Sequence, residues 1–386
     1  MKIVHLCLSA IYADRYAYQE NLLPKYHLRL GHEVEIIASA KSYDDKGRIC
    51  YLQELGEYKN EYGIRVVRLP YLNSRSIWKK LKRYRGTIEV LQEAKPDILF
   101  IHGCQFLDID KVIVFLKSSP QTIVYVDNHA DFNNSATNWI SRNILHRIVW
   151  RSCAQRILPY VRKFYGVLPE RVDFLKDVYG LPEGICELLV MGGDDELIEN
   201  TVITGERSRI RDNYGISDED FLIVTGGKIN HYRPEVLNLM QAVIELGSPN
   251  VKLLFFGAVI DELKAKFDQF CENDSIIYAG WVKSSDTYGY FAAGDLAVFP
   301  GLHSVMWEQA VAQGIPCVFR DIVGFHHVDV GGNARFLGDV SAEGIRKILT
   351  SIIDNREEYA KMKEAAVKNG PKFFSYKEIA RRCIQE

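Results

Sequence analysis

Apolar residues in this chain gather in short, nearly continuous runs, separated by longer segments in which they recur every three or four positions. The runs predict strands over 2–8, 33–38, 64–69, 97–101, 121–126 and near 186–190, and again over 220–225, 251–256, 275–279, 295–299 and 316–319. The intervening period predicts helices, for example over 18–30, 236–246 and 344–353. A strand that is apolar throughout needs cover on both faces. A helix after each strand supplies it, so the pattern predicts α/β architecture with parallel sheets. The rhythm lapses between 195 and 215, where Asp194-Asp195-Glu196 through Gly205-Glu206-Arg207 has no strand character, and a linker is predicted there. Two consecutive Rossmann-like domains follow, over 1–196 and 197–372, with 373–386 a helix that packs back on the first.

Composition narrows the function class. The chain has 386 residues, 47% hydrophobic and 25% charged, with a formal net charge of -2. Nothing global draws it to nucleic acid or to an anionic membrane. The eight cysteines form no C-x-x-C pair, and several lie in apolar runs, so they read as buried thiols of a reducing compartment. The apolar start Met1 to Leu8 is too short for a signal peptide, and no run reaches the roughly 20 residues of a membrane span. The expected location is cytoplasmic. One local feature departs from the average: Arg75 to Arg85 is basic, lacks acids, and spaces Trp78, Leu81 and Tyr84 by three. On a helix this gives a cationic face for contact with an inner-membrane surface, or a solvated helix with its aromatics turned inward.

In open parallel sheets, ligands bind beyond the carboxyl ends of the strands. Candidate chemistry clusters at those positions. Gly226-Gly227-Lys228 and Arg233 form a loop suited to a diphosphate, which needs close backbone approach and dispersed positive charge. Pro300-Gly301-Leu302-His303-Ser304-Val305 opens a helix with Ser304 as candidate cap and Glu308 in its first turns, a place for amides toward phosphate and a carboxylate toward ribose. His129 follows the 121–126 strand. It suits a sugar hydroxyl or a developing charge, or is a loop histidine held by Asp127 or Asp131; His102 poses the same choice. No G-x-G-x-x-G follows a strand, no P-loop occurs, no D-x-D has the flanking strand context of a metal-bound sugar nucleotide, and His326-His327 lacks further ligand spacing, so neither a nicotinamide cofactor nor a metal is predicted.

At these residues the chain resembles the retaining glycosyltransferases of family 4, which have two Rossmann-like domains facing a central cleft, the GT-B fold. Members from bacterial surface-polysaccharide synthesis are similar over Tyr18–His27 and Gly31-His32-Glu33-Val34. Met191-Gly192-Gly193-Asp194 resembles the family's N-G-V-D, Gly227 to Arg233 its G-R-L-x-x-x-K, Gly257 its V-G-x-G, and Ala279-Gly280-Trp281-Val282 its L-G-F-V. Glu308, before Ala310 and Gly314-Ile315-Pro316, is similar to the second glutamate of the family's paired motif. Pro300 stands eight positions earlier, where the family has the first, and Gly324-Phe325-His326-His327 departs from its later glycine motif.

The resemblance implies glycosyl transfer with retention from a nucleoside diphosphate sugar, UDP favoured, to a glycan or lipid-linked acceptor, without metal or other cofactor. It implies Lys228 and Arg233 for the diphosphate, Glu308 for the ribose, and Gly280, Trp281 and Val282 beside the base. Gly226, Gly227, Gly257, Leu302, His303, Ser304 and Val305 would complete the donor site, and His129 would face the transferred sugar. Ser9, Tyr12, Tyr18 and Gln19 fall on the acceptor side. A GT-B sugar-nucleotide 2-epimerase and a non-catalytic binding subunit are the alternatives.

Overall fold

The alternation of buried runs and amphipathic segments builds two α/β units. The computed structural model describes residues 1–44, 48–73, 76–132, 134–231 and 234–385. One unit comprises Met1–Met191 with Ile379–Glu386, the other Gly192–Glu378.

In unit 1 the strands are β1 (Lys2–Cys7), β2 (Glu33–Ser39), β3 (Lys41–Tyr43), β4 (Ile49–Tyr51), β5 (Glu57–Lys59), β6 (Arg65–Leu69), β7 (Ile98–His102), β8 (Ile123–Asn128), β9 (Val161–Gly166) and β10 (Cys186–Leu188). Eight of them form one sheet, in the order β10-β9-β8-β7-β1-β2-β6-β5, parallel except at β5–β6; β3 and β4 make a separate hairpin. Strand side chains alternate between faces, and here the two faces differ. Val4, Leu6, Leu99, Ile101, Val124 and Val126 feed the main hydrophobic core of the unit. On adjoining positions stand His5, Phe100, His102, Tyr125 and Asp127, also fully buried.

Unit 2 contains β11 (Phe221–Ile229), β12 (Val251–Val259), β13 (Ile276–Gly280), β14 (Leu296–Phe299), β15 (Cys317–Arg320) and β16 (Ala334–Leu337), all parallel, in the order β13-β12-β11-β14-β15-β16. Its core lies between this sheet and helices that include Glu235–Leu246 and Ala342–Ile353. Strand order reverses between β11 and β14, a topological switch point.

Three expectations change. The predicted linker is helical: Asp195–Ile203 and Glu206–Asn213 are both helices. The acidic run at 194–196 is a helix start, where Asp194 accepts a hydrogen bond from the Glu196 amide, and the units divide at Met191 and Gly192. Gly226 and Gly227 lie within β11 rather than in a loop, paired with Phe256 and Gly257 of β12. A Cβ on Gly257 would stand 1.8 Å from the Gly227 carbonyl oxygen, at φ +140. These glycines are needed for strand contact. Gly257→Ala is therefore expected to lower unfolding free energy by about 2–4 kcal/mol, measurable by urea denaturation.

The cationic helix is also revised. The helix covers only Ser76–Leu81, and Arg75 lies outside the described residues. Tyr84, beyond its end, is fully buried and donates to the Leu8 carbonyl at 2.7 Å. Lys82 turns inward to the Ser9 carbonyl at 2.8 Å, and Arg83 pairs with Asp110 at 2.8 Å. These groups are withdrawn from any cationic face by internal partners.

Candidate active site

In unit 2, β11 and β14 are sheet neighbours, so the segments following them meet although far apart in sequence. Gly226, Gly227 and Lys228 line a small cleft together with Pro300, Leu302 and Ser304. Lys228 is exposed there. Arg233, the second predicted cation, lies outside the described residues. The helix Met306–Gln313 begins beside this cleft with Val305 as its N-cap and no side-chain cap. Ser304 thus does not cap it; the Ser304 carbonyl instead accepts from the Trp307 amide at 2.9 Å. An uncapped helix start leaves amides for an anion.

Glu308 is fully buried on the first turn. Both His303 Nε2 (2.8 Å) and His327 Nε2 (3.0 Å) donate to its Oε1. Burial by itself opposes the carboxylate's charge, but His303 and then His327, through charge and hydrogen bonds, pull its pKa down to about 2. Its other oxygen, Oε2, is buried without a hydrogen-bond partner, as is His327 Nδ1. A buried acceptor left over in this way is a ready recipient for a ligand hydroxyl. Where metals are concerned, one ligand atom from each of His303, Glu308 and His327 lies within 4.8 Å of the others, so this donor set could hold a metal ion. The His326-His327 pair was legible in sequence; that His327 meets Glu308, 19 positions earlier, was not.

Gly280, with φ +76, ends the edge strand β13, followed by Trp281, which is 72% exposed, and half-buried Val282. None of the three lines the cleft beside Lys228.

In unit 1, His129 follows β8, with Nε2 3.5 Å from Asp127 Oδ2. Burial lowers its proton affinity, but Asp127 foremost, then Glu20, outweighs that and raises its pKa. Asp131 is engaged by Arg171 at 2.9 Å instead. Gln19 Nε2 reaches the same Asp127 oxygen at 3.5 Å. Asp127 Oδ1, Gln19 Oε1 and His129 Nε2 are buried without hydrogen-bond partners, so polar capacity is left over around this carboxylate. Ser9 donates to Gln105 Oε1 at 2.9 Å and receives Lys82. Burial, then Lys41, lowers the Lys82 pKa to about 8. Tyr18 is 45% exposed and stacks on Tyr16. Tyr12 departs from expectation: it is fully buried, donates to Asp14 at 3.0 Å and accepts from Asn60 at 2.9 Å. Its hydroxyl holds the fold and is not open to a ligand. His102 lies inside β7 rather than after it.

Two α/β units with Rossmann-like sheets, each with candidate ligand groups at strand carboxyl ends, match the GT-B fold of solved glycosyltransferase structures. Within it, residues 206–369, all in unit 2, match the family described as glycosyl transferases group 1. Fold and family match together support a GT-B glycosyltransferase. Among solved structures, Anabaena HepE in complex with UDP is similar at 14% identity and TM-score 0.67, over 99% of this chain and 98% of that one. Sucrose-phosphate synthase from Thermosynechococcus elongatus is similar at 12% and 0.64, over 99% and 96%. A UDP-GlcNAc 2-epimerase from Neisseria meningitidis bound to UDP-GlcNAc is similar at 12% and 0.64, over 99% and 98%. No curated protein matches the chain in sequence. Among the described residues, no helix is long and apolar enough to cross a membrane.

Proposed function

We propose that this protein transfers a sugar from a nucleoside diphosphate sugar, UDP-linked by preference, to a glycan or lipid-linked acceptor with retention at the anomeric carbon, in the synthesis of a surface polysaccharide. The observation that carries this reading is the convergence of Lys228 with Leu302 and Ser304, residues that lead into an uncapped helix start, on one cleft. The leaving diphosphate gains negative charge as the glycosidic bond breaks. Lys228, Arg233 and the amides of that segment stabilise it without an obligatory metal. Oε2 of Glu308 accepts from the donor ribose, and Gly280, Trp281 and Val282 flank the base. His129 faces the transferred sugar, with Ser9, Tyr18 and Gln19 toward the acceptor.

Thermal unfolding with a panel of nucleoside diphosphates tests the donor side. UDP at one hundred times its dissociation constant should add about 2.7 kcal/mol, with the gain retained in EDTA. No rise with any nucleoside diphosphate would overturn the reading; a rise abolished by EDTA would make binding metal-dependent, with His303, Glu308 and His327 the donor set to substitute next. A second reading, a non-catalytic nucleotide-sugar-binding subunit, is favoured by Pro300 standing where the resemblance has its first glutamate. It predicts that nucleotide is bound and nothing is converted. A sugar-nucleotide 2-epimerase would convert donor alone without acceptor.

A further inference from the structure

Beneath the polar face of the unit 1 sheet, three histidines form an unbroken hydrogen-bonded chain. His27 Nε2 meets the Ala380 carbonyl at 2.9 Å, His27 Nδ1 meets His5 Nε2 at 3.0 Å, His5 Nδ1 meets His102 Nε2 at 3.0 Å, and His102 Nδ1 meets Asp127 Oδ2 at 2.7 Å. All three rings and Asp127 are 0% exposed.

The proton count of this chain is fixed by its ends. Ala380 O can only accept, so His27 Nε2 carries hydrogen; a neutral His27 then accepts at Nδ1 from His5 Nε2–H. A neutral His5 likewise accepts at Nδ1 from His102 Nε2–H. The other end is a carboxylate, which also only accepts, so the last contact needs a hydrogen on His102 Nδ1 as well. Four hydrogen bonds between two acceptors require four protons, and three neutral imidazoles supply three. Leaving one contact unmade inside the core would cost about 1–3 kcal/mol.

We infer that the His27–His5–His102 chain holds one proton beyond three neutral rings, resting on His102 as an imidazolium paired with Asp127, and that it thereby sets the charge His129 meets at Asp127. His5, His27 and His102 are positioning residues acting through that carboxylate. Burial foremost disfavours charge on His5 and on His27, which leaves the ring beside the carboxylate as the proton's place. Other groups facing the chain do not alter the count. Cys383 donates to Ala380 O at 3.3 Å, leaving its Sγ 3.5 Å from His27 Nε2 as an acceptor; the His32 ring lies 6.1 Å from that of His27. Cys7 is held protonated by burial, with Glu20 and Asp127 adding to the effect. Beyond Asp127, His129 also feels Glu20 and Arg171.

The consequence for His129 rests on the proposed function, whereas the proton count does not. Long-range proton–nitrogen NMR of the full chain labelled at histidine nitrogen, at pH 8, reads the count directly. The expected pattern is Nε2–H neutral rings at His5 and His27 and a doubly protonated ring at His102. His27→Phe touches neither Asp127 nor His102, yet leaves two rings, two bonds and two protons. It should abolish the imidazolium signature and raise the His129 titration midpoint by about one unit, as Asp127 loses its countercharge. Asp127→Asn, whose amide can donate to His102 Nδ1, should give three neutral rings in a folded protein, and serves if the first variant fails to fold. Three neutral rings in the unaltered protein, or a doubly protonated His102 that survives either substitution, would overturn the inference. An unmoved His129 in His27→Phe would overturn its coupling to the site. Because the nitrogen signals need no sugar donor, failure here and failure of the transfer reading are told apart.

Discussion

Lys228→Ala is expected to lower kcat/KM for the cognate donor by about 10²–10³-fold, the loss that follows removal of one fixed group stabilising charge in a transition state. The melting temperature should stay within a degree or two, because Lys228 is exposed at the end of β11 and makes no ion pair among the described residues. The separation of these two readouts is the point of the experiment. Lys228→Arg should recover most of the activity, since a cation returns to the cleft, while Lys228→Gln should not. Wild-type turnover in the alanine variant would remove Lys228 from the mechanism and leave Arg233 and the backbone amides to answer for the diphosphate.

Glu308→Gln should weaken donor binding by about 10–100-fold, the range for replacing a charged acceptor by a neutral one in a buried hydrogen bond. Calorimetric titration with the nucleoside diphosphate measures it. The same variant carries a pH signature. The native carboxylate has its pKa depressed to about 2, from 4.5 for the free side chain. A depressed acid stabilises the fold above the unfolded pKa, and that stability drains away as pH falls through the folded value. Glu308 should therefore contribute up to about 3 kcal/mol at neutral pH, lost between about pH 4.5 and pH 2. Asp127, whose pKa is also lowered by His102 and His129 against the opposing effect of burial, acts in the same direction. Denaturation curves across that window should be shallower in Glu308→Gln. An unchanged slope would mean that the two imidazoles do not hold the charge of Glu308.

Most of the sheet architecture was legible because a strand covered on both faces must be apolar along its length, and such runs stand out locally. The exceptions share a cause. β9 is interrupted by Arg162 and Lys163, β5 is the three residues Glu57–Lys59 with a charge at each end, and β16 is short, so none makes a continuous apolar run. The acidic stretch at 194–196 looked like a linker because a helix start and a solvated loop both favour carboxylates, and only the following backbone distinguishes them.

By itself the sequence determined two α/β units, strand ends as the place for chemistry, and Lys228 and Glu308 as groups to watch. Only the tertiary structure decided which side chains meet. It withdrew Tyr12 and Tyr84 into the core, set His303 and His327 on Glu308, and joined His5 to partners 22 and 97 positions away and His27 to one 353 positions away. The physical reason is that periodicity records burial, a property of one residue and its near neighbours, whereas a hydrogen bond between strands depends on sheet order and register. Neither is written in any one stretch of chain, and the protonation of a buried histidine follows from its partners.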